Sequence, residues 1–185
     1  MDITGKVAMV LIDVQKGIDE QRHWGGNRNN PDAEQHIQTL LSFWRRLGFP
    51  VIIVRHDSTS ATPPFRPGCA ENGLEDLVAR LQVEKTVIKS TTSAFIKTDL
   101  SEYLQQQQIN KLVNTGFVTN NAVEATARNA GYLSFKTYLV SDATACFDKK
   151  GLDGRKYNSD LIHQISLSNL EGEYDTIVSA KELCY

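Results

Sequence analysis

The segment of residues 7–14 limits the possible folds more than any other part of the chain, because Asp13 is its only polar residue. A strand on the surface of a sheet alternates apolar and polar side chains, whereas a strand that is apolar on both faces is typical of the centre of a parallel sheet. Residues 50–54 repeat this pattern, and weaker apolar segments follow at 86–88, 111–117, 135–140 and 175–178. The sequence therefore predicts six strands.

Helical patterns separate these strands. Asn30 before Pro31 is a helix start signal, and the apolar helical spacing that follows ends at Gly48. Further helices are predicted from Thr98 and over residues 121–130 and 159–170. The alternation favours an α/β fold, a doubly wound, Rossmann-like parallel six-stranded sheet with helices on both faces. A length of 185 residues fits a single domain over residues 1–185.

Charge and composition argue against several classes of partner. The net charge is −2 and the basic residues are scattered, so neither nucleic acid nor a membrane surface is expected as a partner. The apolar run over residues 7–12 is too short for a signal or membrane segment, which favours a cytoplasmic location. Cys69, Cys146 and Cys184 lack metal-ligand spacing and are expected to be free thiols. Neither GxGxxG nor GxxxxGK occurs, so no nucleotide cofactor is expected.

Two irregular segments, residues 17–30 and 57–73, each follow a strand and should overhang the carboxyl edge of the sheet, where such folds bind ligands. Asp13 ends the first strand and Lys89 ends the third, so both should reach this edge. We expect Lys89 to hold the Asp13 carboxylate ionised and to place a cation near a substrate oxygen. A capping Asp and a solvent-exposed Lys are the ordinary alternatives.

The fourth predicted strand runs through Gly116 into a tight turn before the next helix. The first turn of a helix presents backbone N–H groups and a positive dipole end, which suit a developing oxyanion. A nucleophile on this turn would face the sheet edge. An ordinary turn with Thr119 or Asn120 as N-cap explains the local pattern equally well.

Short motifs spread over nearly the whole chain form an ordered set. They are Leu11-Ile-Asp-Val-Gln, Lys89 with Ser93-Ala-Phe, Thr98-Asp-Leu, Thr115-Gly-Phe-Val-Thr-Asn-Asn-Ala-Val-Glu-Ala-Thr, Asp142-Ala-Thr-Ala, and His163 with Ser166-Leu. Together they resemble the isochorismatase-like hydrolases, often called cysteine hydrolases, a family that includes nicotinamidases. Trp24-Gly-Gly, Asn29-Asn-Pro-Asp and Arg66-Pro-Gly are similar to the subgroup that contains streptothricin hydrolase-like enzymes.

The resemblance implies an isochorismatase-like fold and hydrolysis of a small molecule, most often at an amide C–N bond. In the family an Asp, matched by Asp13, deprotonates a Cys thiol, and a Lys, matched by Lys89, orients that Asp. The resemblance also implies a non-proline cis peptide, and hence an oxyanion-binding turn, at Val118 and Thr119. A homo-oligomer, either a dimer or a tetramer, is the assembly it implies.

The position of the family's nucleophilic Cys is Ala122 in this chain. A methyl group has no lone pair and cannot attack a carbonyl, so covalent thiol catalysis is impossible as the chain stands. Three explanations are open: a Cys-to-Ala replacement introduced to trap substrate, a natural member that cleaves by proton transfer from Asp13, or a binding protein without catalysis. Cys69 and Cys146 are poor substitutes, because neither lies at a helix N-terminus beside a base.

The region of the second strand carries too few ligands for a metal site. Nicotinamidases hold a divalent ion through an Asp and two His in this region, whereas here His56 and Asp57 have no second His after them. No metal is therefore predicted, and His56 is expected to line a pocket. The other predicted pocket residues are Gln15, Trp24, Phe95 and Phe117, with Trp24 as a simple loop anchor in the alternative.

Overall fold

The computed structural model describes residues 4–62 and 64–184. The strands are β1 (Val7–Ile12), β2 (Val51–His56), β3 (Lys85–Lys89), β4 (Lys111–Phe117), β5 (Lys136–Ala145), β6 (Lys149–Lys150), β7 (Lys156–Tyr157) and β8 (Thr176–Val178). Six of them form one parallel sheet in the order β3-β2-β1-β4-β5-β8, and β6 pairs with β7 in a small antiparallel ribbon. The predicted doubly wound, six-stranded parallel sheet is confirmed.

Helices cover both faces of this sheet. They are α1 (Gln21–Trp24), α2 (Ala33–Leu47), α3 (Asp76–Ala79), α4 (Leu100–Gln106), α5 (Glu124–Tyr132), α6 (Ser159–Leu170) and α7 (Ala180–Cys184). Side chains alternate between the faces of a strand, so Met9 of β1 packs in the cluster that contains α2, and Val10 packs in the cluster that contains α4 and α5. Every residue of β1 is buried, as its two-sided apolar pattern requires.

The strand order reverses direction at β1, which lies between β2 and β4. In doubly wound sheets the crevice at such a switch point, beyond the carboxyl ends of the strands, is where ligands bind. Gly116 near the end of β4 allows the two strands to approach: its φ is +112°, and a Cβ there would lie 2.0 Å from the carbonyl oxygen of Ile12. The fold thus brings the residue after β1 and the turn after β4 together.

Local predictions are wrong at the level of single residues in two places. Asn30 is not an N-cap: α2 begins at Ala33, and the Asn30 amide donates to the carbonyl oxygens of Ser141 (2.8 Å) and Thr144 (2.6 Å). The predicted tight turn after β4 is instead a wide helical turn (Thr119–Val123). The helix that follows, α5, extends past Gly131 to Tyr132 instead of ending at residue 130. The helix predicted over residues 159–170 is confirmed as α6, and its Leu161 and Ile165 are exposed.

Of the helices within residues 4–62 and 64–184, none has the length and apolar character needed to cross a lipid bilayer.

Candidate active site

A buried ion pair joins the two residues that the sequence placed at the sheet edge. Asp13 follows β1 with a φ of +51°, and Lys89 is the last residue of β3. The Lys89 ammonium donates a hydrogen bond of 2.8 Å to Oδ2 of Asp13, and the exposed fractions of the two residues are 1% and 4%. Because β2 lies between β1 and β3, the Lys89 side chain reaches Asp13 past the end of β2.

Two opposing effects set the protonation of Asp13. Burial raises the pKa of the Asp13 carboxyl to about 6, although the charge and hydrogen bond of Lys89 act to lower it. The loss of hydration therefore outweighs the attraction of one ammonium group. At a pKa of about 6, the carboxyl is ionised at neutral pH and protonated at mildly acidic pH. The second carboxyl oxygen, Oδ1, is buried and has no hydrogen-bond partner in the described part of the chain.

His56, the last residue of β2, completes this cluster as a neutral ring. Burial and the neighbouring Lys89 charge lower the pKa of His56 to about 4, and its Nδ1 lies 3.1 Å from the Lys89 ammonium. The Nδ1 atom of the neutral ring accepts this hydrogen bond from Lys89, so its lone pair is not available to a ligand. The Asp57 carboxylate accepts hydrogen bonds from Arg55 (3.0 Å) and Asn72 (3.1 Å). Within the described residues, no group of three or more His, Cys, Asp or Glu side chains is arranged to hold a metal ion.

A cavity of about 250 Å³ opens beside the ion pair. It is lined by Asp13, His23, Trp24, His56, Ser58, Ser60, Thr62, Pro64, Phe65, Lys89, Thr92, Phe117, Val118, Asn121 and Ala122. Seven of these are residues that the sequence placed in the site: Asp13, Lys89, Trp24, His56, Phe117, Val118 and Ala122. Most of the others belong to the two overhanging segments, whose individual side chains no periodic pattern singles out.

Two predicted pocket residues lie elsewhere. Gln15 is fully buried and does not line the cavity, because its amide accepts from the backbone N–H of His56 (2.7 Å) and donates to the carbonyl of Asn72 (2.8 Å). It thus joins the ends of β1 and β2. Phe95 packs in the core cluster on the α4 and α5 face and stacks on Phe135 at 5.7 Å.

Trp24 fits both of its predicted roles. Its ring lines the cavity, and its indole N–H donates to the Gly17 carbonyl at 2.7 Å. The same ring stacks on Phe147 with a centroid distance of 5.9 Å. Trp24 therefore anchors the first overhanging segment and forms a wall of the site.

The turn after β4 differs from the family-based expectation by one residue. The non-proline cis peptide joins Phe117 and Val118, so its assignment to Val118 and Thr119 is wrong; no residue type marks the position of such a bond in the sequence. Thr119 does not line the cavity, because its hydroxyl lies 3.0 Å from Nδ1 of buried His163 on α6. Neither Thr119 nor Asn120 caps the helix with its side chain. Ala122, on the same turn, lines the cavity with Asp13 and Lys89.

The three cysteines stand away from this cavity. None of Cys69, Cys146 and Cys184 is among its lining residues. Burial raises the pKa of the Cys146 thiol to about 12, and its Sγ contacts the Ser159 carbonyl at 3.1 Å. A thiol in this state is a poor nucleophile.

Comparison with known proteins assigns the chain to a family. The model of the isochorismatase domain matches residues 7–179, and the chain therefore belongs to the isochorismatase family. It is 37% identical over 178 residues to an uncharacterized isochorismatase family protein, YrdC, of Bacillus subtilis (strain 168), covering 96% of this chain and 94% of the relative. It is 27% identical over 195 residues to nicotinamidase 3 of Arabidopsis thaliana, covering 98% and 89% of the two chains.

A solved structure agrees with this assignment. The crystal structure of a hydrolase assigned to the isochorismatase family, from Chromobacterium violaceum, superposes with a TM-score of 0.93 at 37% identity. The match covers 100% of this chain and 95% of that one. The predicted isochorismatase-like hydrolase family is confirmed.

Proposed function

We propose that this protein hydrolyses a small molecule by proton transfer from Asp13, without a covalent enzyme intermediate. The observation that carries the proposal is the Asp13 carboxyl, which is buried beside the cavity, bonded to Lys89 and raised in pKa to about 6. A carboxyl group with a pKa in this range holds its proton at mildly acidic pH and gives it up readily, which suits a general acid.

The proposed reaction uses the groups in the cavity as follows. For an amide, protonated Asp13 donates its proton to the leaving nitrogen as the carbon–nitrogen bond breaks. For a vinyl ether, it donates the proton to the terminal carbon of the double bond, which leaves an oxocarbenium ion, and the hemiketal formed by the addition of water then releases the alcohol. A water molecule adds its oxygen to the carbon and returns a proton to Asp13. Lys89 stabilises the carboxylate that exists between the two proton transfers, at the 2.8 Å distance it has from Oδ2.

The test is turnover of a panel of amides and vinyl ethers by the purified chain. Activity should resist iodoacetamide, because the cavity has no cysteine. Asp13→Asn should lower kcat/KM by about 10²–10⁴, the usual contribution of a general acid. Asp175→Asn is the matched control, since Asp175 is also a buried Asp but does not line the cavity, and it should leave kcat/KM unchanged. Activity that survives Asp13→Asn would overturn the proposal.

A second candidate, amide hydrolysis by an Asp-Lys-Cys triad, is favoured by the position of Ala122. Its methyl group lines the same cavity as Asp13 and Lys89, on the turn where the family carries its thiol. We expect Ala122→Cys to create amidase activity that iodoacetamide abolishes. Ala122→Ser is a matched control that adds a poorer nucleophile at the same place. No gain across a broad amide panel would contradict this candidate.

Other predictions from the sequence stay proposals. The streptothricin hydrolase-like motifs Trp24-Gly-Gly and Arg66-Pro-Gly support placement in that subgroup. Exposed Leu161 and Ile165 on α6 are consistent with a homo-oligomer, which sedimentation velocity would test. A single domain over residues 1–185 and a cytoplasmic location likewise stay predictions. Ligand-induced thermal stabilisation without turnover would instead identify a small-molecule binding protein.

A further inference from the structure

Part of the cavity wall is the turn after β4, from which Asn121 and Ala122 line the cavity. We propose that buried His163, on α6, is a positioning residue: it accepts a hydrogen bond from the Thr119 hydroxyl and so fixes this turn beside Asp13. This inference rests on the proposed function for what the cavity does in turnover, and on the hydrogen bonds alone for what holds the turn.

The contact between α6 and the turn is buried on both sides. Nδ1 of His163 lies 3.0 Å from Oγ1 of Thr119, and the exposed fractions of the two residues are 3% and 0%. In a regular helix each backbone N–H has its own carbonyl acceptor. Here the N–H groups of Asn121 (3.0 Å) and Val123 (3.3 Å) share the carbonyl of Val118. The conformation of the turn therefore depends on side-chain contacts as well as on its backbone bonds.

The direction of this hydrogen bond follows from the other ring nitrogen of His163. Its Nε2 lies 3.5 Å from the Asn30 amide nitrogen, whose two protons are donated to the carbonyls of Ser141 (2.8 Å) and Thr144 (2.6 Å). The Ser141 carbonyl also forms a hydrogen bond with the His163 ring, and a carbonyl can only accept. Nε2 therefore carries the ring proton, and Nδ1 accepts from the Thr119 hydroxyl.

Burial keeps the His163 ring in the neutral form that this arrangement needs. Loss of hydration lowers the pKa of His163, and the Ser141 carbonyl and the Asp160 charge offset only part of this effect. A protonated ring would carry a donor on both nitrogens and could not accept from a hydroxyl. The neutral ring is therefore the state in which His163 holds Thr119.

A second side chain of α6 reaches the same turn. Ser166 lies three residues after His163 and therefore on the same face of the helix. Its hydroxyl donates to Oε2 of Glu124 at 2.6 Å and lies 3.5 Å from the carbonyl oxygen of Thr119. Glu124 begins α5 and pairs with Arg128 at 2.8 Å. α6 thus contacts the turn at the side chain and at the backbone of Thr119, which makes it a support for this wall of the cavity.

Hydrogen exchange measures the turn directly and needs no turnover. Amide exchange over residues 118–123 of the native, purified chain is followed by mass spectrometry. His163→Leu and Thr119→Val each remove the hydrogen bond with little change in side-chain volume, and each should speed this exchange by about tenfold. Gln164→Leu is the matched control, because Gln164 is exposed on α6, and it should leave the exchange unchanged. Unchanged exchange in His163→Leu would overturn the inference.

Two amide variants separate positioning from packing. The side-chain oxygen of Asn can take the place of Nδ1, whereas the longer Gln side chain places its amide near the position of Nε2. His163→Asn therefore keeps an acceptor for Thr119, and its kcat/KM on the panel of amides and vinyl ethers should stay within about threefold of the unmodified chain. His163→Gln should lose about tenfold. Equal losses in the two variants would show that His163 acts by packing alone and would overturn the inference.

A double-mutant cycle in kcat/KM completes the test. His163→Leu combined with Thr119→Val should cost no more than either change alone, because both remove the same hydrogen bond; a loss equal to the product of the two would overturn the inference. Turnover that Asp13→Asn abolishes and His163→Leu leaves unchanged would support the proposed function and overturn this inference. If the unmodified chain turns over no panel member, the proposed function fails, and the hydrogen-exchange comparison still decides whether His163 holds the turn.

Discussion

Asp13 and Asp175 are two of the buried aspartates; burial raises the pKa of both, yet their partners and their access to a cavity differ. Burial raises the pKa of both Asp13 and Asp175 to about 6. Asp13 lies after β1 at the carboxyl edge of the sheet, bonded to Lys89 and facing a cavity. Asp175 lies just before β8, at the opposite edge of the sheet. Nearby Thr137 and Asn114 act to lower its pKa but offset only part of the effect of burial. Asp175 does not line the cavity beside Asp13.

The comparison shows that a raised carboxyl pKa alone does not identify a catalytic site. Loss of hydration produces the same shift at both positions, whether or not a ligand can approach. What distinguishes Asp13 is its counter-charge and its access to a space of ligand size. The functional proposal for Asp13 therefore depends on its ion pair with Lys89 and on the adjacent cavity. The raised pKa adds only the pH range in which Asp13 can donate a proton.

Removal of Lys89 should have the largest effect on stability. Lys89→Met leaves a buried carboxyl without its partner and should lower the free energy of unfolding by about 3 kcal/mol. Lys85→Met is the control: Lys85 begins β3 and pairs with Asp99, which is 60% exposed, so its loss should cost about 0–1 kcal/mol. Urea unfolding at pH 7.5 measures both variants. Equal losses for the two would contradict a special role for the buried pair.

Asp175→Asn should stabilise the protein, but only at pH values where the Asp175 carboxyl of the folded protein is ionised. The pKa of Asp175 is raised in the folded state, so its stabilising contribution is present below pH 4 and is lost as the pH rises through about 6. Replacing it with a neutral amide should therefore raise the free energy of unfolding by about 1–3 kcal/mol at pH 7.5. At pH 4 the gain should vanish. The same gain at both pH values would show that the effect has another origin.

The smallest effect, on labelling by a thiol reagent, is expected at Cys146, whose thiol is buried like the carboxyls of Asp13 and Asp175. Burial raises its thiol pKa to about 12, yet the thiol has no access to the site cavity. In the native protein at pH 8, a thiol reagent should label partly buried Cys69 and Cys184 and leave Cys146 unmodified. All three should react in urea. Rapid native labelling of Cys146 would show that burial does not protect it.

The sequence predicts the scaffold well and the cavity only in part. Apolar runs such as Val7–Ile12 define buried parallel strands, and Asp13 and Lys89 follow because they end two of them. Side chains set by loop geometry are missed: His23 and Phe65 line the cavity from irregular segments that have no periodicity. Gln15 is misassigned because a strand-end amide can face a pocket or bond the neighbouring backbone, and only the structure shows the second.

The central claim, that protonated Asp13 is the acid in turnover, is tested most directly by the pH dependence of kcat/KM. With a pKa of about 6 for Asp13, kcat/KM should be constant below that pH and should fall about tenfold for each pH unit above it. Lys89→Met removes the two interactions that lower this pKa, so the midpoint should move to higher pH. A value of kcat/KM that rises through pH 6, or that does not change with pH, would contradict the account.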